Sequence, residues 1–253
     1  MFKPVARRLL ASEVFDQLRE RILRGEMEPG AALPAERVLA TLLRVNRNAV
    51  REGLKRLEQA GLVSIQQGGA TRVLDFRRTA GLELLASMLV RGDGSIDTRV
   101  VRGIVELRTA LAPVVGRFAA ERVARRHLDA LEAVIGRMRG ARGDVGSLAR
   151  LALDFWAEVV AATDNIALEL AFNSLAVSYG AVLEHLQHLM ADELEATDDY
   201  AALVEALAAH DADRTAAIAV QIVSRGEEAF RRVLKVLDAT QRGDRREPGR
   251  SDS

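Results

Sequence analysis

The chain has no cysteine, one tryptophan, two tyrosines and five prolines in 253 residues. Without cysteine there are no disulfides and no thiolate metal sites, and an intracellular setting fits. Aromatic residues make up 4% while apolar residues reach 49%, so the core has to be built from Leu, Val and Ala. Leu and Ala favour helix, which leans the chain towards an all-α fold. No apolar run reaches the roughly 18 residues that a membrane span needs. The opening MFKPVARRLL lacks the apolar stretch of a secretion signal. The expectation is a cytoplasmic protein with no membrane partner. There is also no nucleophile elbow and no phosphate-binding loop, so an enzyme is not expected.

What is present begins with an uneven charge. Residues 1–76 hold 13 Lys/Arg against 9 Asp/Glu, a surplus of +4 that the remainder balances with −4. That split suggests a basic module facing an anion, joined to a neutral-to-acidic module with another task. In SEVFDQLRERILRG, residues 12–25, the apolar Val14, Leu18, Ile22 and Leu23 follow the spacing of a half-buried helix that Gly25 ends. Pro34 fits the first position of a second helix, with Val38, Leu39, Leu42 and Leu43 as its buried stripe. Asn46 suits the N-cap of a third helix running to about Ala60. There Val50, Leu54 and Leu57 face inward, while Arg47, Arg51 and Lys55 recur every four residues on the outer side.

After Gly61 the period changes. LVSIQQGGATRVLDF reads as a hairpin of two short β-rich runs around QQGG. Three helices and a hairpin make a winged helix-turn-helix. A helix fits the major groove, where Arg can bind guanine O6 and N7 with two hydrogen bonds. The remaining cations can neutralise phosphates. The wing tip at Gln66, Gln67, Gly68 and Gly69 is small and polar, suited to close approach at an adjacent minor groove. The competing reading, a merely solvated helix face, is disfavoured by the succession of turn, cap, helix and wing.

Residues 12–75 resemble the DNA-binding domain of the GntR family of bacterial transcriptional regulators. The likeness is carried by GEMEPGAALPAERVLA, by VNRNAVREGLKRLEQAGLV and by the QQGG wing. It implies DNA contacts from Arg37 of the PAER motif and from Arg47 and Arg51. Asn46 and Asn48 hold positions where the family usually has Ser or Thr, and Gln67 and Gly68 hold the wing tip. Arg44 stands where the family usually has Gly. If φ is positive there, Arg costs on the order of 1 kcal/mol.

Residues 76–97 read as a linker with one short apolar helix. Beyond it helical periods run over about 98–124, 126–140, 147–163, 165–191, 198–209 and 212–240, the first broken near Pro113. The acidic DELEATDD reads as a helix end and surface turn, and 241–253 as a disordered polar tail. The fold class is therefore mainly α: an N-terminal winged helix-turn-helix plus a C-terminal antiparallel helical bundle. This arrangement resembles the FadR branch of the family, whose bundle binds an effector and in most members a metal. Counted back from Asn165, the metal-ligand positions of that branch fall on Ala152 and Trp156, then near Tyr200 and Val223. No metal is expected. His185, His188 and His210 are read as surface and helix-end residues rather than ligands.

Loss of those ligands is similar to the fatty-acid-responsive FadR proteins, which implies long-chain fatty acyl-CoA as effector and a homodimer on a palindromic operator. The resemblance points to Arg108, Trp156, Asn173 and Tyr179 as effector-binding residues. An internal Arg requires an anion or an acceptor, so Arg108 meets either a ligand or a bundle carboxylate. Two other functions remain in play. One is a regulator sensing a small carboxylate or sugar acid without metal. The other is a helical enzyme or scaffold with an incidental winged helix.

Overall fold

The computed structural model describes residues 8–66, 68–91, 94–186 and 191–244. The chain divides into two compact units, Met1–Ser95 and Ile96–Ser253.

In the first unit α1 spans Arg8–Leu23, α2 Glu36–Leu42 and α3 Arg47–Gln59. The wing is an antiparallel pair, β1 Val63–Ser64 with β2 Arg72–Val73, in register Val63 to Val73 and Ser64 to Arg72. Val14, Leu18 and Ile22 of α1 pack with Val50, Leu54 and Leu57 of α3, as their spacing predicts, over Leu62, Val63 and Val73. The two helices approach closely at Gly53, where a Cβ would lie 2.7 Å from the Val14 side chain. Asn46 caps α3, its side chain accepting from the Ala49 N–H at 2.9 Å.

The second helix departs from expectation. It starts at Glu36 after an extended Ala35, so Pro34 lies outside it. The cause is the wing: Ala32 bridges to Arg72, and the Leu33 N–H donates to the Thr71 carbonyl, holding this stretch extended. Only Leu39 of the expected stripe is buried. Leu43 is half-buried, and Val38 and Leu42 are exposed, because two turns of helix give one short face to the core.

After β2 the chain forms α4 Phe76–Thr79, a 3-10 turn Leu82–Leu84 and α5 Leu85–Leu89. Leu84 is buried in the core of the first unit, and Phe76, Ala80 and Met88 pack against it. These four residues of the linker thus pack on the winged helix.

The second unit is a helical bundle: α6 Thr98–Arg122, α7 Arg125–Gly140, α8 Val145–Ala161, α9 Ile166–Leu186, α10 Ala191–Leu194, α11 Thr197–Ala208 and α12 Ala212–Asp244. Asp97 and Asp144 cap α6 and α8 by accepting from the Arg99 and Ser147 N–H groups. α6 runs through Pro113 as one helix. It packs against α12, closest at Gly116, where a Cβ would sit 3.1 Å from Ala216. Residues 241–244, read as the start of a tail, belong to α12, and the rest of that tail lies outside the described residues. No helix among the described residues is long and apolar enough to cross a membrane.

Candidate functional site

Two places bring the sequence-predicted residues together, one in each unit. On the first, Arg37, Asn46, Arg47, Asn48 and Arg51 are all exposed around the turn between α2 and α3. The turn is a Schellman motif: the Val45 N–H donates to the Ala40 carbonyl and the Arg44 N–H to the Thr41 carbonyl. Arg44 occupies its left-handed position at φ 54°, the conformation that makes Gly usual there.

The line of cations is not uniform. Arg51 donates from Nε and Nη2 to the two oxygens of Glu36, at 3.2 and 3.0 Å, and Arg47 Nη2 lies 3.9 Å from the same carboxylate. Lys55 pairs with Glu52 at 3.3 Å. Hydrogen bonding from Arg51 holds the Glu36 carboxyl below its ordinary value, against the opposing effect of burial. The same bond holds the Arg51 guanidinium above its own. At the wing tip Gly68 has φ 73°, and the Gly69 N–H closes a turn on the Gln66 carbonyl. Gln67 lies outside the described residues.

In the second unit a cavity, partly open to solvent, lies among α6, α8, α9, α10 and α12. Its walls are apolar, with Leu111, Val115, Leu153, Leu168, Phe172 and Leu175 among them. Arg108 and Glu193 both line it and meet each other: Nη1 to Oε1 at 3.1 Å and Nη2 to Oε2 at 2.8 Å, with a further bond from Nη2 to the Val223 carbonyl. Of the two partners foreseen for Arg108, the structure holds the internal carboxylate. Burial pushes the Glu193 carboxyl above its ordinary value, and the Arg108 charge pulls the other way.

Trp156 lines the cavity, and its indole Nε1 is buried with no hydrogen-bond partner. Ala152 and Val223 line it too, while Tyr200 is buried edge-on against the Phe155 ring at 4.9 Å. The side chains at these four positions do not fit a metal of the kind most such bundles hold. Among the described residues no group of three or more His, Asp or Glu is placed to hold an ion. His210 instead uses Nδ1 on the Ala120 carbonyl at 2.7 Å, and the His185 and His188 side chains lie outside the description.

Two expectations need correction. Asn173 is on the exposed face of α9, not in the cavity, because the cavity-facing positions of that helix are Leu168, Phe172, Leu175 and Ala176. Glu193, read as part of a surface turn, is 2% exposed on α10. The Tyr179 side chain is outside the description. Sequence reasoning also passed over Glu36, which sits beside Arg37 in the PAER motif.

A winged helix with exposed arginines, carried in one chain with a bundle that holds a partly open apolar cavity, is the organisation of a ligand-responsive DNA-binding regulator. Residues 10–73 match the bacterial regulatory proteins of the gntR family, and residues 103–225 match the FCD domain. The chain belongs to the GntR family of transcriptional regulators. It is similar to the HTH-type transcriptional regulator Mce2R of Mycobacterium tuberculosis, 42% identical over 209 residues that cover 83% of this chain and 86% of that one. A fatty acid metabolism regulator protein of Vibrio cholerae is 35% identical over 123 residues, covering 46% of this chain and 44% of the relative. Among solved structures, E. coli McbR/YncC shares the fold at a TM-score of 0.51 with 20% identity, covering 89% of this chain and 98% of that one. These domains and relatives mark the chain as a regulator and not an enzyme.

Proposed function

We propose that the protein is a homodimeric regulator of the FadR branch that binds a palindromic operator and releases it when the bundle takes up a long-chain fatty acyl-CoA. No metal takes part. The observation that carries the effector is the cavity itself. Its walls are apolar, and the cation that lines it, Arg108, is already neutralised by Glu193. Such a space suits an alkyl chain, with the unpartnered Trp156 N–H available to a thioester carbonyl. The Vibrio cholerae relative, by its name a fatty acid metabolism regulator, supports the same chemistry. A small carboxylate is the second reading, favoured by the presence of two Arg108 nitrogens at the cavity wall. It would have to exchange with Glu193, exposing a buried acid.

On the DNA side, Arg47 and Arg51 read base edges in the major groove. Arg37, Asn46, Asn48 and the wing tip at Gln67 and Gly68 contact backbone or minor groove. One such helix reads only a few base pairs, so two copies on an inverted repeat are needed. The outer face of α9 supports self-association: Ile166, Leu170 and Val177 recur along it at 68%, 60% and 67% exposure. Effector binding favours one bundle arrangement and thereby shifts the dimer away from its operator-competent form.

The test is a gel-shift titration with acyl-CoAs of increasing length on an operator selected from random duplexes. Each buried methylene contributes about 0.8 kcal/mol, so release should sharpen with chain length until the cavity is full. Free coenzyme A should do nothing. A small acid or a metal outperforming every acyl-CoA would overturn the effector assignment. Light scattering should give about twice the 27.6 kDa chain mass; a monomer on and off DNA would overturn the dimer.

A further inference from the structure

We propose that Glu36 is a specificity-determining residue of the DNA interface: it presents the Arg51 guanidinium to a guanine and keeps Arg51 and Arg47 from settling on phosphates. This rests on the reading of α3 as the major-groove helix.

The geometry is a two-point clamp. Glu36 is the first residue of α2, and Leu39, buried one turn later, fixes that helix on the core. Arg51, 15 residues on, commits Nε and Nη2 to the two oxygens of that carboxylate. A guanidinium carries five N–H groups in a rigid fork. With one edge clamped, the remaining edge, formed by Nη1 and the second Nη2 hydrogen, stays free. That edge matches guanine O6 and N7. An unclamped Arg would have to lose the freedom of its stem on binding; a clamped one has lost it already.

Charge supports the same role. A carboxylate on a surface that meets a polyanion is repelled by it, so Glu36 weakens binding to DNA in general. Each phosphate neutralised contributes about 0.9 to the salt slope, and Glu36 occupies the cation nearest it while lying 3.9 Å from Arg47. What it takes from every sequence alike it can return at one base, because the clamped fork fits guanine and suits a phosphate less well. The lowered carboxyl value means the clamp stays charged across the neutral range. A simpler role exists: an acid in the first turn of α2 complements the helix dipole. That role requires a charge near Ala35, not two hydrogen bonds to a residue in the next helix.

The experiment uses the full-length chain and two probes: the duplex most enriched by the wild type from a random library, and a mixed-sequence duplex of equal length. Glu36→Gln should bind the mixed duplex several-fold more tightly, with a salt slope steeper by about 1. Its preference for guanine at the Arg51 position should fall roughly tenfold. Glu36→Asp keeps the helix-end charge, but its stem is one methylene shorter and its carboxylate does not reach both nitrogens. It should keep the wild-type slope and still lose guanine preference, which a dipole role would not produce. If both variants match the wild type in slope and in base preference while Arg51→Ala loses the guanine, the groove reading stands and the role of Glu36 is overturned. If Arg51→Ala loses no base preference, the groove reading itself falls and the proposal with it.

Discussion

Arg51 and Glu36 meet at 3.2 and 3.0 Å, and Arg108 and Glu193 meet at 3.1 and 2.8 Å. Both pairs put two guanidinium nitrogens on two carboxylate oxygens. Their surroundings are opposite. The first pair has side chains 56% and 29% exposed, and the second 23% and 2%. In water the hydrogen bonds decide, and Glu36 is held below its ordinary value. In the bundle desolvation decides, and Glu193 is pushed above it in spite of an equally good partner. The lesson is that contact geometry does not set what an ion pair does; access to solvent does. The exposed pair is a clamp that leaves one edge of Arg51 open to solvent, and the buried pair is a neutral plug in the cavity wall.

The contrast breaks most visibly on removal of one partner. Glu193→Ala leaves a buried guanidinium without its counter-charge and should destabilise the bundle by about 3–5 kcal/mol. Glu36→Ala should change stability by no more than about 1 kcal/mol, as exposed pairs do. Urea denaturation of the two variants measures both, and equal losses would erase the distinction. Replacing both buried partners with apolar residues, Arg108→Met with Glu193→Leu, should return stability to near the wild type.

Proton linkage gives the same contrast a sign. A carboxyl raised by folding binds its proton more tightly in the native state than in the unfolded one. The stability that it contributes is present below the ordinary value of 4.5 and is lost as pH rises through the raised value. A carboxyl lowered by folding, such as Glu36, contributes stability above that value and loses it as pH falls. Denaturation at a series of pH values upward from 4.5 should show bundle stability declining, and Glu193→Gln should flatten that decline.

Next in size is a separation of functions. Arg47→Ala and Arg51→Ala should each weaken operator binding by about 1–3 kcal/mol if the contact is to a base, with the melting profile unchanged. A phosphate contact would instead weaken all sequences alike. Arg108→Ala should do the reverse, lowering bundle stability and leaving operator affinity intact. Loss of operator affinity in a folded Arg108 variant would show that the two units are coupled through the buried pair.

These pairs also mark how far the sequence could be read. The helices of both units, the cap at Asn46 and the outward cations of α3 follow from local period and spacing, whereas the vacated metal positions come from the resemblance to the FadR branch. Those signals repeat every few residues, and a single chain displays them. Glu193 was hidden because Asp and Glu are almost never buried unless paired, and its partner is 85 residues away. Glu36 was hidden because an acid has no attraction for phosphate, so a DNA-facing motif gives no reason to choose it. Asn173 was misplaced for a different reason. The resemblance carried it over by position, and α9 has apolar residues on two faces, Leu168, Phe172 and Leu175 inward and Ile166, Leu170 and Val177 outward, so its pattern gave no check on which face meets the cavity.

A third arginine sharpens the comparison with the smallest effect, since its conformational cost lies in the backbone and not in a partner. Arg44 sits at φ 54° in the Schellman turn that ends α2, between the hydrogen bonds Val45 N–H to Ala40 and Arg44 N–H to Thr41. Asp164 and His210 take the same left-handed conformation, but short polar side chains of the Asp and Asn type visit it more readily than Arg. Arg44→Gly removes a Cβ that crowds the following carbonyl and should stabilise the first unit by about 1 kcal/mol, less the entropy that Gly adds to the unfolded chain. The turn keeps both hydrogen bonds, so α3 keeps its position. The side chain is exposed beside Asn46 and Arg47, which places its charge on the face assigned to DNA. If it neutralises a phosphate, the same variant should flatten the salt slope by about 0.9 while base preference stays as it was. A more stable, less tightly bound protein is therefore the expected result. Thermal melts and salt titrations on one preparation measure both, and a variant that melts lower than the wild type would show that Arg44 is held by contacts worth more than its strain.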